Sequence, residues 1–173
     1  MGGSYPARVA DIEIRPIRFG APIAQALAGA MVAEMEERYG GTDENPVEAN
    51  QFDPPEGAFL IAWQAGEPIG CGGWRIMAHF TDDGVVAAEI PENVAEVKRM
   101  YTTPAARGRG VARALLRALE DSAREAGMRR LVLETGYKQP EAIALYESSG
   151  YVMIKNYGFY RDHEGTVSYG RDL

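Results

Sequence analysis

The sequence is poor in the residues that staple or metallate a small protein. It has one cysteine, Cys71, and two histidines. A single thiol forms no intrachain disulfide, and zinc sites built on two or four cysteines are excluded. His79 and His163 stand far apart and outside any ligand-spaced cluster, so no metal is expected. Long apolar runs are missing: no stretch approaches the ~20 residues that span a bilayer, and no membrane partner is expected. Met1-Gly2-Gly3-Ser4-Tyr5-Pro6 has no basic region followed by an apolar run, so no signal peptide is expected. Gly2 invites a myristoylation reading, but Pro6 stands where that signal wants Ser or Thr. A basic excess is missing as well. The 18 Lys and Arg face 25 Asp and Glu, for a net charge of -7, which argues against nucleic acid as a bulk partner. A cytoplasmic protein is the expectation.

What is present is ordinary for a globular chain: 46% hydrophobic and 25% charged residues over 173 positions. That length suits one domain, 1–173, with a core large enough to need no staples. Ile12 to Ile17 alternates as a strand. Pro22 to Tyr39 reads as a helix stopped by Gly40-Gly41, with Ile23, Leu27, Met31 and Met35 in one stripe. Thr42 to Pro55 reads as a loop. Ala58 to Gln64 and Ile69 to Met77 are apolar strands, and Gly66-Glu67-Pro68 between them predicts a hairpin. Asp82-Asp83-Gly84 marks a turn before a short strand, Val85 to Ile90. Val94 to Thr103 is a strand and Arg109 to Ala126 a helix closed by Gly127. Arg130 to Thr135 is a strand, Gln139 to Ser149 a helix, and Tyr151 to Lys155 and Thr166 to Tyr169 are the last strands. The alternation predicts a mixed α/β or α+β sheet.

One stretch carries chemistry: Met100-Tyr101-Thr102-Thr103-Pro104-Ala105-Ala106-Arg107-Gly108-Arg109-Gly110-Val111-Ala112. A strand ends, Pro104 opens a turn, and a Gly-rich basic segment enters a helix. Gly108 and Gly110 allow a tight turn and close approach of a ligand. The first amides of a helix are unpaired and carry partial positive charge, which makes an anion site. Arg107, Arg109 and Arg113 add cations with guanidinium geometry suited to phosphate. The dinucleotide fingerprint fails, because Arg113 stands where its last Gly or Ala belongs, and the P-loop fails for want of Gly-Lys-Ser/Thr.

Arg107 to Ala112 does fit Q/R-x-x-G-x-G/A, and so resembles the pyrophosphate motif of the GNAT superfamily of N-acetyltransferases. Gln139-Pro140-Glu141-Ala142-Ile143-Ala144-Leu145-Tyr146-Glu147-Ser148-Ser149-Gly150-Tyr151 resembles that superfamily's N-x-x-A-x-x-L-Y-x-x-x-G-F/Y helix, with Gln139 in place of the usual Asn. Glu96-Val97-Lys98-Arg99-Met100-Tyr101 resembles the strand before the phosphate turn. The resemblance implies an acyl-CoA N-acyltransferase fold: a central mixed, mostly antiparallel sheet flanked by helices. It implies acetyl-CoA as donor, a small primary amine as acceptor, and direct attack in a ternary complex. The alternatives are a silent acyl-CoA-binding module and an acetyltransferase of proteins or peptides. Homodimers are common in the superfamily, and a dimer is carried as an expectation.

By position, the resemblance implies that Met100, Tyr101 and Thr102 offer amides to the pantetheine and thioester, with Thr102 N–H for the carbonyl. Arg107, Gly108, Arg109, Gly110, Val111 and Ala112 hold the pyrophosphate, and Gln139 and Tyr146 meet the rest of the cofactor. Tyr146 is the candidate acid, since a phenol near pKa ~10 matches a thiolate leaving group. Glu96 is the candidate base, with Glu134 in reserve. Alternation puts Glu96, Lys98, Met100 and Thr102 on one face, so Lys98 also stands as an ion-pair partner for Glu96, as does Arg99. Trp74, Tyr157 and Tyr160 are candidates for an acceptor pocket or the core, and Cys71 for a buried small hydrophobe. Two features bear on the acceptor in opposite senses. The acidic Glu34, Glu36, Glu37, Asp43 and Glu44 suit a cation, while Arg75 suits a carboxylate.

Overall fold

The computed structural model describes residues 11–41, 47–77 and 92–173. The turn at Asp82, the strand Val85 to Ile90, His79, Asp43, Glu44 and Met1 to Pro6 lie outside them. Among the described residues, seven strands and three α-helices follow in the order β1 (Glu13–Ile17), α1 (Pro22–Tyr39), β2 (Gly57–Gln64), β3 (Glu67–Ile76), β4 (Val94–Thr102), α2 (Val111–Glu125), β5 (Arg130–Gly136), α3 (Pro140–Ser148), β6 (Val152–Ile154) and β7 (Thr166–Asp172). They form one sheet in the order β1-β2-β3-β4-β5-β7-β6. Only β4 and β5 run parallel; the other neighbours are antiparallel. A helical crossover through α2 is what a parallel pair requires.

Each strand divides its side chains between two cores. Leu60, Ala62, Trp74, Ala95, Val97, Leu131, Leu133 and Tyr169 pack with Val111, Leu115, Leu116 and Leu119 of α2. Phe59, Ile61 and Cys71 pack with Leu27 and Ala28 of α1 on the other face. Gly72 lets α2 and β4 close on β3: a Cβ there would stand 2.6 Å from Met100 Sδ and 3.1 Å from Leu119 Cδ1. Trp74 donates to Ser122 Oγ at 3.1 Å, so it is a core residue of the α2 face.

Several boundaries shift for local reasons. The hairpin turns on Ala65 and Gly66, both at positive φ, and Glu67 and Pro68 already belong to β3. Two left-handed central residues match the twist of a two-residue hairpin. Helix α2 begins at Val111, after Gly110 at φ +82°. In α1 the buried residues are Ala24, Leu27 and Ala28, and the two alanines let the helix lie close to the sheet. Met31 and Met35 face a cleft instead.

The main departure is in β4. Cys71 faces Tyr101 while Gly73 faces Lys98, so Arg99 and Met100 together oppose Gly72. This is a β-bulge, with Arg99 at φ +59°, and it reverses the alternation downstream. Glu96 and Lys98 keep one face, but Met100 packs with the α2 core and Tyr101 with the α1 core. The single face predicted for Glu96, Lys98, Met100 and Thr102 is therefore wrong beyond Lys98.

Among the described residues, no helix is long and apolar enough to cross a membrane. None of their His, Cys, Asp and Glu side chains gather in groups of three to hold a metal.

Candidate active site

β4 and β5 are paired only at Val94–Arg130, Ala95–Leu131 and Glu96–Val132. Beyond Glu96 they part, while β4 stays on β3 as far as Thr102. Thr103 N–H bonds Ile69 O at 3.0 Å. Antiparallel alternation then turns the peptide groups of Thr102 away from β3, toward the opening, and those of Tyr101 toward β3. Consistent with this, Thr102 O accepts from Arg107 Nε at 3.1 Å. Tyr101 thus lines the opening with its side chain, and its amide is directed to the neighbouring strand.

The opening leads into a cleft of about 540 Å³ between α1, the β4–α2 turn and α3. Met100, Tyr101, Thr102, Arg107, Gly108, Gly110, Val111, Ala112, Gln139 and Tyr146 all line it. Gly108 and Gly110 sit at φ +71° and +82°, which L side chains adopt only with strain. No side chain caps α2, and its first hydrogen bond is Ala114 N–H to Gly110 O at 3.0 Å. The amides of Val111, Ala112 and Arg113 precede that bond and lack a helical acceptor. Of the expected cofactor residues only Arg109 is missing from the lining. Its guanidinium turns to Gln64 Oε1 at 2.5 Å, on the β2–β3 hairpin. Arg113 is held by Ser148 and Ser149 Oγ at 2.7 and 3.1 Å. Arg107 meets Glu34 at 2.5 Å, and Arg38 joins Glu34 at 3.1 Å and also Glu141. Glu34 thus belongs to the cleft mouth, apart from Glu36, which lines a separate cavity of α1.

Tyr146 packs against Tyr151 and Tyr169, with ring centroids 5.8 and 6.3 Å away. Burial pushes its phenol up to about 12, so it stays protonated at any working pH, but the match to a thiol is lost. Gln139 caps α3 and donates to Tyr39 Oη at 3.3 Å.

Across the opening lies a buried charged cluster. Glu96 is fully buried. Its Oε2 accepts from Arg75 Nε at 3.1 Å, and its Oε1 meets Tyr157 Oη at 3.1 Å and Lys98 Nζ at 3.3 Å. Arg75 also donates to Gln51 Oε1 at 2.5 Å. Both Glu96 oxygens are engaged by cations or a phenol, so the carboxylate expected to act as base is built into the frame. Arg75, a candidate for an acceptor carboxylate, and Tyr157, a candidate for pocket or core, hold it there. Glu134 differs. Its Oε2 bonds Lys98 Nζ at 3.4 Å, and its buried Oε1 has no partner. Burial pushes its carboxyl up to about 7, against the pull of Lys98 and with the charge of Glu96 adding to the rise. Opposite it in register stands Ser168, whose buried Oγ is also unpartnered. The sequence signal for Glu134 was only a charged residue ending an apolar strand. Cys71 is buried, and desolvation pushes its thiol up to about 12, which makes it inert.

Residues 24–151 match the model of the acetyltransferase (GNAT) family. An IAA acetyltransferase from Azospirillum brasilense is 37% identical over 142 residues, covering 78% of this chain and 84% of that protein. A solved Klebsiella pneumoniae protein, assigned by name to the acyl-CoA N-acyltransferases, superposes with a TM-score of 0.77 at 28% identity, over 95% of this chain and 99% of that one. The fold also matches a GNAT family acetyltransferase from Elizabethkingia anophelis solved with acetyl-CoA bound, at TM-score 0.64 and 17% identity, over 94% and 99% of the two chains.

Proposed function

The chain belongs to the GNAT family of acetyltransferases, and from that premise we propose that it moves the acetyl group of acetyl-CoA to the primary amine of a small molecule, by direct attack with both substrates bound. The observation that carries this reading is the parting of β4 from β5 beyond Glu96. It joins the 540 Å³ cleft on one face to Lys98 and Glu134 on the other. The relative named as an IAA acetyltransferase supports a small-molecule acceptor.

The cleft fits the cofactor. Two left-handed glycines and three uncapped helix amides make a cradle for a pyrophosphate, and Arg107 and Arg113 stand at its rim. Once bound there, acetyl-CoA supplies an acyl group activated as a thioester. Thr102 N–H, turned to the opening, would meet the thioester carbonyl, and Met100 and Tyr101 would line the way to it. A fixed amide donor at that place stabilises developing negative charge on oxygen.

Glu134 Oε1 receives the proton that the attacking amine loses. Lys98 holds Oε2 and leaves Oε1 as the free atom, and a carboxyl near 7 is poised for proton transfer at neutral pH. Tyr146 keeps its proton and donates a hydrogen bond where the departing sulfur needs one. A phenol pushed to about 12 lies above a thiol at ~8.5, so hydrogen bonding precedes complete transfer. Glu96 acts as the counter-charge that keeps Arg75 and Lys98 in place.

The test is thiol release from acetyl-CoA against a panel of small amines and peptides. Turnover on small amines supports the reading. CoA binding without turnover on any amine, or turnover on peptides alone, overturns it.

A further inference from the structure

Between α1 and β4, on the α1 face of the sheet, lies a second cavity of about 370 Å³. Its described lining includes Phe19, Ala28, Gly29, Val32, Glu36 and Arg99. Arg99 is the bulge residue of β4, at φ +59°. A long side chain in the left-handed region inside a strand is strained, and such strain clusters at functional positions. The bulge brings Arg99 to this cavity, while Met100, ~3.8 Å further along the chain by Cα, lines the cofactor cleft. A single peptide unit therefore separates the two spaces, at the place where β4 and β5 part. Lys98 and Glu134 share the face of the cavity.

We propose that Arg99 binds a carboxylate of the acceptor, so that the enzyme acetylates a small amino-acid-like molecule carrying both an amine and a carboxylate. This rests on the acetyltransferase reading above. A guanidinium has five N–H donors in a planar fork, enough to take a carboxylate side-on beside the contacts it already makes. Arg75, the sequence's candidate for that task, is buried against Glu96 and Gln51. Ala28, Gly29 and Val32 give the α1 wall small apolar side chains, which leaves room for a modest apolar group on the acceptor. Glu36, on the same wall, repels a second acceptor carboxylate.

The test compares matched acceptors, a set of free amino acids against their amides, by thiol release from acetyl-CoA. The wild type is expected to prefer the free acid by ~10–100-fold in kcat/KM, the range of a charge-assisted bidentate contact. Arg99→Gly, which suits a left-handed position, is expected to keep its melting temperature and its CoA affinity. It should lose the preference through a higher KM for the acids, with the amides unchanged. Arg99→Lys should restore part of it. Gly29→Leu meets open space at its Cβ and gains helix propensity, so it folds. It is expected to raise KM for acids and amides alike. A wild type that acetylates amides as well as acids, or an Arg99→Gly variant that keeps the preference, overturns the proposal. Absence of turnover on any small amine, with CoA still bound, overturns the parent reading and this one with it.

Discussion

Glu134→Gln removes one ionisable proton and almost no volume, and it acts on stability and catalysis in opposite directions. The folded chain holds the Glu134 carboxyl at about 7, against 4.5 for a free side chain. Between those values the folded state binds more protons there than the unfolded state does. Stability contributed by this group therefore falls as pH rises through the window. A shift of this size corresponds to about 3 kcal/mol once both states are ionised. At pH 4.5 Glu134 is neutral and resembles Gln, so the two proteins should differ by only a few tenths of a kcal/mol. At pH 8 the variant should be more stable by about 3 kcal/mol, read from urea unfolding. Lys98 retains Glu96 as a partner at 3.3 Å, so the substitution strands no cation. For catalysis, loss of a general base should lower kcat/KM by ~10². The ratio of wild-type to variant kcat/KM should rise about tenfold per pH unit up to pH 7 and then level off. The acceptor's own ionisation cancels in that ratio. A ratio independent of pH, or a stability difference that is the same at pH 4.5 and pH 8, would refute the reasoning.

Three other outcomes follow from the geometry. Gly110→Glu sets a side chain at φ +82° and a negative charge beside the free α2 amides; CoA affinity by calorimetry should fall by at least ~10²-fold, and an unchanged affinity would remove the cradle from the site. Tyr146→Phe should lower kcat by ~10-fold or more while CoA affinity stays within about twofold, since one hydrogen-bond donor is lost and the ring stack is kept; an unchanged kcat denies Tyr146 its role. Glu96→Gln leaves Arg75, 3% exposed, without its counter-charge, and should cost about 3 kcal/mol in denaturant unfolding. A loss under about 1 kcal/mol would show that Glu96 does not carry the frame.

The parts of the site that were legible in the sequence are those whose cause is local. The turn from Thr102 to Ala112 is written in one continuous segment: Pro104 opens it, Gly108 and Gly110 supply left-handed backbone, and an amphipathic run starts the helix. The same holds for α1, where Pro22 and Gly40 mark both ends of the observed helix. The resemblance to a known superfamily joined that turn to Gln139 and Tyr146, and the structure places all of them around one cleft.

What failed in the sequence depends on neighbours far along the chain. Strand alternation placed Met100 with Glu96, but a bulge is a property of two strands, and only the pairing of Cys71 with Tyr101 and Gly73 with Lys98 reveals it. Lys98 was legible as a partner of Glu96, but Arg75 and Tyr157 were not, because they lie 21 and 61 positions away. The contact of Arg109 with Gln64, 45 positions away on the β2–β3 hairpin, was equally out of reach of local pattern.

The sequence by itself determined a tight glycine turn with free amides at the start of α2, because backbone conformation there follows from glycine, proline and helix-end amides within a few residues. The tertiary structure decided which carboxylate keeps an oxygen without a partner. Glu96 and Glu134 are the same chemical group on adjacent strands. Both side chains are buried, and the difference lies in the partners: two cations and a phenol meet Glu96, while one oxygen of Glu134 meets none.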